Sequence, residues 1–181
     1  MRKVLVVIDM QNDFITGALG SPQAQAIVSK VADKIRAHVR DGSEIIFTRD
    51  THHRNYLETQ EGRHLPVVHC IEGSEGWEVA AELKEAAGAV EPLVFDKGSF
   101  GSLALAGYLG RGKVYDEIEL VGLVSSICVI SNALMIKAHL PETLITVDAS
   151  CTAGVGEEDY RASLCVMKMC HVNVIHEERP A

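Results

Sequence analysis

Short runs of apolar residues recur along the chain and alternate with longer stretches of helical spacing. The first run, residues 4–8, is continuous and rich in β-branched side chains, which is typical of a strand buried on both faces of a parallel sheet. Later runs of similar character predict further strands, which lie at residues 44–48, 92–95, 117–124, 143–148 and 172–175.

Amphipathic stretches with helical periodicity lie between these strands. The clearest one follows Ser21, a residue type that caps helices well, and has Pro22 at the first helical position. Its apolar side chains recur until Asp41 and Gly42 interrupt the pattern, which predicts a long helix after the first strand. Further helices are predicted near residues 76–87, 100–110, 126–140 and 157–170.

This alternation predicts an α/β fold. Parallel neighbouring strands need crossover connections, and the helices supply them while covering both faces of the sheet. We predict a single domain over residues 1–181, with a three-layer α/β/α architecture around a central, mostly parallel sheet of about six strands. Residues 50–73 depart from the pattern because they are polar, histidine-rich and aperiodic, and such long irregular segments are usually functional.

Composition limits the possible partners. A chain of 181 residues that is 47% hydrophobic can bury one substantial core. Its net charge of -8, without a basic cluster, argues against binding to nucleic acid. The N-terminal segment MRKVLVVIDM does not fit the pattern expected of a secretory signal, and no apolar run reaches membrane-spanning length. Its five cysteines are odd in number and form no CxxC pair, which favours reduced thiols in a cytoplasmic protein.

Candidate chemistry lies at the ends of the predicted strands, because open parallel sheets bind ligands outside the carboxyl ends of their strands. Residues with reactive side chains at these ends are Asp9, Asp50, Lys97 and Cys128. Cys128 opens an apolar helix, where backbone N–H groups and a nearby Lys97 would favour a nucleophilic thiolate. Asp9 would then serve as the acid and base of an acyl transfer.

Each of these residues also has an ordinary structural interpretation. A cysteine in an apolar helix is often a small buried side chain, and an aspartate after a strand often caps a turn. A lysine at such a position is often solvated. Only the combination of Asp9, Lys97 and Cys128 points to a catalytic set.

A second candidate site follows from the spacing of Asp50 and His52. On an extended segment these two side chains point to the same side, so both could bind one metal ion. His69 could reach that ion from across the irregular segment. Such a set of oxygen and nitrogen donors suits Zn²⁺, Mn²⁺ or Fe²⁺. Because a chain with eight histidines contains many chance pairs, spacing alone leaves metal binding open.

Taken together, these segments resemble the isochorismatase-like cysteine hydrolases, and in particular their nicotinamidase-like branch. The resemblance is carried, in order, by VLVVIDMQNDFITGALG, FTRDTHHRNY, VVHCIEGSEGWE, VFDKGSF, LVGLVSSICVISNALMIKAH and VDASCTAG. It implies that Asp9, Lys97 and Cys128 hydrolyse a small carboxamide through a thioester.

The resemblance also implies how the substrate is held. A cis peptide bond is expected at Val124–Ser125, where the backbone, together with that of Cys128, would form an oxyanion hole. Phe14 is expected to form a wall of the substrate site. Members of the family commonly self-associate, so a homo-oligomer is expected.

The metal ligands implied by the resemblance are Asp50, His52 and His69. Nicotinamidases carry such ligands and many other members of the superfamily lack them. The resemblance therefore favours a divalent metal, zinc before manganese or iron, and nicotinamide as the substrate, with nicotinate and ammonia as products.

Two departures from the nicotinamidase pattern keep other substrates open. Residues 64–68, HLPVV, lack the aromatic residue expected before the second histidine, and Ser126 stands where nicotinamidases commonly have aspartate. An amidase for a ureido, carbamoyl or maleamate-like compound is the alternative within enzymes. A non-catalytic binding or scaffold protein with the same fold is the alternative outside them.

Overall fold

A six-stranded parallel sheet forms the centre of the computed structural model, which describes residues 2–112 and 114–177. The strands are β1 (Lys3–Ile8), β2 (Glu44–Asp50), β3 (Leu93–Lys97), β4 (Glu117–Leu123), β5 (Leu144–Ala153) and β6 (Asn173–Ile175). Their spatial order is β3-β2-β1-β4-β5-β6, and every neighbouring pair is parallel. The predicted fold class is confirmed. The single domain over 1–181 stays a prediction, since residues 1, 113 and 178–181 lie outside the described part.

The helices cover both faces of this sheet. They are α1 (Asn12–Ile15), α2 (Pro22–Arg40), α3 (Gln60–His64), α4 (Ala81–Ala87), α5 (Leu103–Leu109), α6 (Ile130–His139) and α7 (Glu157–Met169). One apolar core lies between the sheet and α2 with α4, and the other lies between the sheet and α5, α6 and α7. In the described ranges, no helix combines the length and the apolar character needed to cross a membrane.

β1 shows why a buried parallel strand is continuously apolar. Val4 and Val6 point into the core beneath α5, α6 and α7, whereas Leu5 and Val7 point into the core beneath α2 and α4. All four side chains are fully buried. Because neither face of the strand meets water, no polar alternation is left in the sequence.

The long helix α2 begins and ends where its sequence predicts. The Ser21 hydroxyl accepts a hydrogen bond from the N–H of Ala24 at 3.1 Å, and Pro22 occupies the first helical position. The chain turns after Asp41, where Gly42 adopts a φ of +72° that side chains disfavour. This helix sets the path from the end of β1 into β2.

Two predicted elements have different bounds in the structure. α4 begins at Ala81 instead of residue 76, because Val79 bridges to Gln11 and the N–H of Ala80 donates to the carbonyl of Met10. β5 continues beyond residue 148 as far as Ala153. Polar residues near the middle of this strand interrupt its apolar pattern, so the sequence hides its full length.

β4 ends at Leu123, one residue earlier than predicted, and the chain then forms a π-helical turn over Ser125–Val129. The cis peptide bond lies between Leu123 and Val124. The expected position at Val124–Ser125 is therefore wrong by one residue, because the chain leaves the sheet one residue sooner.

The segment after β2 is more regular than predicted. It contains a 3₁₀ turn at Tyr56–Glu58, followed directly by α3. The Thr59 hydroxyl caps α3 by accepting from the N–H of Gly62 at 3.0 Å. A side chain at Gly62 would lie only 2.1 Å from the carbonyl oxygen of Tyr56, so only glycine fits at this crossing.

Candidate active site

Lys97 lies at the centre of the site, at the carboxyl end of β3. Its Nζ is 2.6 Å from Oδ2 of Asp9 and 3.5 Å from Sγ of Cys128, and it donates to the carbonyl of Ser99 at 3.1 Å. The three side chains come from the ends of β3, β1 and β4, which open at the same edge of the parallel sheet. The structure thus brings together Asp9, Lys97 and Cys128.

Asp9 is held by a residue that the sequence did not single out. The Thr48 hydroxyl donates to Oδ1 of Asp9 at 2.6 Å and accepts from the Asp9 N–H at 3.1 Å. Burial raises the pKa of Asp9, and the ammonium of Lys97 opposes that rise. Thr48 lies inside an otherwise apolar strand, and no sequence signal marks it as part of the site.

Cys128 is buried on the π-helical turn, and its burial affects the pKa of its thiol. Burial raises the pKa of Cys128 well above its usual value, the Asp9 carboxylate raises it further, and Lys97 lowers it. Removal from water thus opposes a thiolate and Lys97 favours one, and the nucleophilic thiolate expected at Cys128 stays a prediction. Asp9 lies close enough to the thiol to exchange a hydrogen bond with it.

The backbone around Cys128 has an unusual hydrogen-bond pattern. The carbonyl of Val124 accepts hydrogen bonds from the N–H of Ile127 at 3.0 Å and from that of Val129 at 3.1 Å. The N–H of Cys128, which lies between these two donors in the sequence, does not bond to this carbonyl. Ser125, also predicted to contact substrate, is fully buried, and its hydroxyl has no hydrogen-bond partner among the described residues. The Ser125 hydroxyl is therefore a buried polar group of this turn that is left unpaired by the described residues.

The predicted metal ligands also come together. Nε2 of His52 lies 2.9 Å from Oδ2 of Asp50, and Nε2 of His69 lies 3.4 Å from the same oxygen. Glu61 of α3 completes the group, and one ligand atom from each of the four residues lies within 4.8 Å of the others. No periodicity connects Glu61 to Asp50, so the sequence analysis missed it.

The donor atoms of this group suit a divalent metal. The Nδ1 of His69 lies 2.7 Å from the carbonyl of Val67, and donation of its proton there leaves Nε2 as the ligand atom. Nε2 of His52 is buried and makes no aligned hydrogen bond with any residue in the described part of the chain, although it faces the Asp50 carboxylate. Two imidazoles and two carboxylates that converge in this way fit Zn²⁺, Mn²⁺ or Fe²⁺.

Aromatic rings surround the two histidines. The Phe14 ring meets the His69 ring edge-on at 5.5 Å between centroids, and the Tyr56 ring lies 4.6 Å from that of His52. Tyr56 is fully buried and donates from its hydroxyl to the carbonyl of Leu65 at 2.9 Å. Phe14 is half-buried beside the metal group, and its role as a wall of the substrate site stays a prediction.

Asp50 connects the metal group to the catalytic group. Its Oδ1 lies 3.5 Å from Nζ of Lys97, whereas its Oδ2 faces His52 and His69. Although burial works against its charge, the histidines and Lys97 hold the pKa of Asp50 well below its usual range. The two groups therefore form one continuous site.

Comparisons with known proteins agree with this geometry. The profile of the isochorismatase domain family matches residues 3–179. The nicotinamidase/pyrazinamidase of Mycobacterium tuberculosis is 25% identical over 188 residues, which cover 96% of this chain and 98% of that protein.

Solved structures of similar fold include members of the same group of enzymes. A nicotinamidase/pyrazinamidase from Bacillus subtilis superimposes with a TM-score of 0.83 at 25% identity, over 96% of this chain and 99% of that one. The pyrazinamidase of Pyrococcus horikoshii, crystallised in complex with zinc, gives a TM-score of 0.82 at 26% identity, over 98% and 100% of the two chains.

Proposed function

The chain belongs to the isochorismatase family, in its nicotinamidase-like branch, and we propose that it cleaves a small carboxamide through a thioester on Cys128. Its relatives indicate a hydrolase that acts on amide C–N bonds. One observation carries this proposal. Nζ of Lys97 contacts both Oδ2 of Asp9 and Sγ of Cys128 inside a buried site. A base, a cation and a thiol in mutual contact are the groups that acyl transfer requires.

The first half of the reaction begins with transfer of the Cys128 proton to Asp9. The thiolate attacks the carboxamide carbon, and the carbonyl π electrons move to oxygen. Asp9 then returns the proton to the nitrogen, the C–N bond breaks, and ammonia leaves a thioester on Sγ. The raised pKa of Asp9 suits this role, since the group must both accept and release a proton.

The second half of the reaction reverses the roles. Asp9 takes a proton from water, and the resulting hydroxide adds to the thioester carbon. The C–S bond then breaks to give the carboxylic acid and the Cys128 thiolate, which takes the proton back from Asp9. Lys97 keeps its ammonium beside whichever of Asp9 and Cys128 is anionic. This arrangement limits the cost of a negative charge in a buried site.

The oxyanion formed in each half needs donors. The first candidate donor is the N–H of Cys128, which does not bond to the Val124 carbonyl. The backbone of Val124 and Ser125 lies next to it and supplies the other candidate groups. Donors of this kind typically contribute about 3 kcal/mol to the stability of a transition state.

Asp50, His52, Glu61 and His69 would hold a divalent metal, with zinc as our first choice. The ion would supply a positive charge that binds and orients a polar group of the substrate. The zinc complex of the Pyrococcus horikoshii pyrazinamidase and the convergent donor atoms of this chain support the assignment.

Nicotinamide is our proposed substrate. The nicotinamidase relatives from Saccharomyces cerevisiae and Mycobacterium tuberculosis support it, as does the Phe14 ring beside His69. Leu65 and Val68, which are partly exposed where a stacking aromatic residue is expected, favour the alternative of another small amide. The contacts of Lys97 argue against a non-catalytic protein.

We also propose that the enzyme is cytoplasmic and self-associates. All five cysteines are free thiols, which supports a reducing compartment. Leu93 and Val94 are 42% and 45% exposed on β3, at the edge of the sheet, which supports contact with a second copy. Sedimentation of the purified protein tests this part of the proposal.

The test of function is ammonia release from nicotinamide by the zinc-loaded enzyme. Cys128→Ala is expected to abolish turnover without unfolding the protein, and full activity of that variant would refute the mechanism. Release from a panel of ureido, carbamoyl and maleamate-like amides, with none from nicotinamide, would keep the mechanism and replace the substrate.

A further inference from the structure

Two carboxamide side chains, Gln11 and Asn132, are fully buried beside the site yet take no part in the proposed chemistry. Burying a polar group costs free energy unless its hydrogen-bonding atoms are paired. Both side chains meet this condition by binding backbone groups only. Their partners therefore indicate what each side chain holds in place.

Gln11 holds the end of the strand that carries the first metal ligand. Its Oε1 accepts from the N–H of Asp50 at 2.7 Å, and its Nε2 donates to the carbonyl of Asp50 at 2.9 Å. The same Nε2 donates to the carbonyl of Trp77 at 2.8 Å. The orientation of the amide is unambiguous, because a backbone N–H can only donate and a carbonyl can only accept.

Asn132 holds the backbone of the proposed nucleophile, Cys128, in a similar way. Its Nδ2 donates to the carbonyl of Cys128 at 2.8 Å and to the carbonyl of Phe100 at 3.1 Å. Its Oδ1 accepts from the N–H of Ser102 at 3.0 Å. Phe100 and Ser102 belong to the loop that follows Lys97, so one side chain joins the Cys128 turn to the Lys97 loop.

We propose that Gln11 and Asn132 are positioning residues that hold the two halves of the site separately. Gln11 sets the backbone of Asp50 and thereby the geometry of the metal group. Asn132 sets the distance between Cys128 and Lys97 and thereby the reactivity of the thiol. The inference rests on the proposed function, and it adds a division of labour that the proposed function does not contain.

The location of these bonds supports the division. The backbone partners of Gln11 are Asp50 and Trp77, neither of which lies on the nucleophile turn. The backbone partners of Asn132 are Cys128, Phe100 and Ser102, none of which belongs to the metal group. Because the two sets of backbone partners share no member, we expect loss of the Gln11 bonds to leave the Asn132 bonds in place, and the reverse.

The experiment compares Gln11→Met and Asn132→Leu, which keep the approximate size of each side chain and remove its hydrogen bonds. Gln25→Met and Asn173→Leu are matched controls, because both residues are exposed. The dissociation constant of Zn²⁺ is measured by competition with a chromophoric chelator. The rate at which iodoacetamide, itself a small amide, labels Cys128 in metal-free protein is measured by peptide mass spectrometry.

We expect Gln11→Met to weaken zinc binding at least about tenfold, as loss of a residue that orients a metal ligand typically does. Labelling of Cys128 should stay within about threefold of wild type. We expect the reverse for Asn132→Leu, with labelling slowed at least about tenfold and zinc binding within about threefold of wild type. Both controls should match wild type. In this crossed pattern, each variant changes one of the two properties and leaves the other nearly unchanged. A purely structural role would not produce it.

The inference is overturned if either variant changes both properties to a similar extent, or if neither variant changes the property assigned to it. Should an apolar variant fail to fold, Gln11→Glu and Asn132→Asp take its place, because each keeps the acceptor and removes both donors. A wild-type Cys128 that iodoacetamide does not label would refute the proposed nucleophile, and the inference with it. Normal wild-type labelling without the crossed pattern would refute the inference alone.

Discussion

Oδ2 of Asp9 lies 2.6 Å from Nζ of Lys97, and both side chains are buried. Burial works against the charge of each, yet the carboxylate of Asp9 holds the pKa of Lys97 above its usual value. Each charge is therefore tolerated because the other is present. The proposed acid–base residue Asp9 and its cation Lys97 therefore also form a buried ion pair.

This pairing predicts that the two charges depend on each other for stability. Lys97→Met should lower the free energy of unfolding by about 3 kcal/mol, because it leaves a buried carboxylate without its partner. Asp9→Asn alone should also lower the free energy of unfolding. The double variant Asp9→Asn/Lys97→Met should lose clearly less of this free energy than the two single variants lose together, although none of the three should turn over substrate. Urea denaturation measures the difference.

Lys84→Met is the control for this cycle. Lys84 forms an exposed ion pair with Glu78, so its loss should cost less than about 1 kcal/mol. Additive effects in the double variant of Asp9 and Lys97 would show that the two charges are stabilised independently and would contradict the prediction.

The hydrogen bond from Thr48 predicts a change in pH dependence. Its hydroxyl donates to Oδ1 of Asp9 at 2.6 Å and so favours the carboxylate. Thr48→Val removes this donor, and the pKa of Asp9 should rise further. A base is active only when deprotonated, so the acid limb of kcat/KM should move up by about one pH unit, equivalent to about 1.4 kcal/mol.

The pH profile of Thr48→Val with nicotinamide, or with whichever amide is turned over, measures this shift. Thr51→Val is the control, since the Thr51 hydroxyl donates to a backbone carbonyl and accepts from Trp77 outside the catalytic group. A Thr48→Val profile with an unmoved acid limb would show that Asp9 does not set it.

Away from the active site, a buried ionic cluster predicts how stability depends on pH. Lys34 lies 2.6 Å from Asp148 and 2.8 Å from Glu119, while His176 and His38 also face these carboxylates. Although burial opposes it, Lys34 lowers the pKa of Asp148 to about 2. A depressed pKa stabilises the fold above the ordinary value of 3.8, and this contribution is lost as the pH falls toward 2.

Lys34→Met tests that cluster. At neutral pH it should lower the free energy of unfolding by about 3 kcal/mol, because Glu119 and Asp148 lose their shared cation. In acid the two carboxylates become protonated, so the difference from wild type should shrink. Lys30→Met, an exposed lysine on the same helix, should show neither effect. Urea denaturation at several pH values gives both comparisons, and a constant difference would contradict the assignment.

The sequence predicted the parts of this molecule that depend on local pattern. The continuous apolar run of β1 and the capped start of α2 predict their own elements, and reactive residues after strands predict which side chains meet at the sheet edge. Thr48, Gln11 and Asn132 could not be predicted, since their roles depend on partners distant in the sequence. The effect of burial on the pKa of Cys128 could not be predicted either, because burial depends on tertiary packing.

Glu61 provides the last prediction, because the structure alone adds it to the metal group. Its Oε1 lies 3.5 Å from Nε2 of His52, and a carboxylate there would neutralise part of the charge of a divalent ion. Glu61→Gln keeps the shape of the side chain and removes its charge, so zinc should bind about tenfold more weakly. Glu58→Gln, an exposed change in the preceding turn, should leave the dissociation constant unaltered. If Glu61→Gln binds zinc as tightly as wild type, the metal is held by Asp50, His52 and His69, and Glu61 only borders the site.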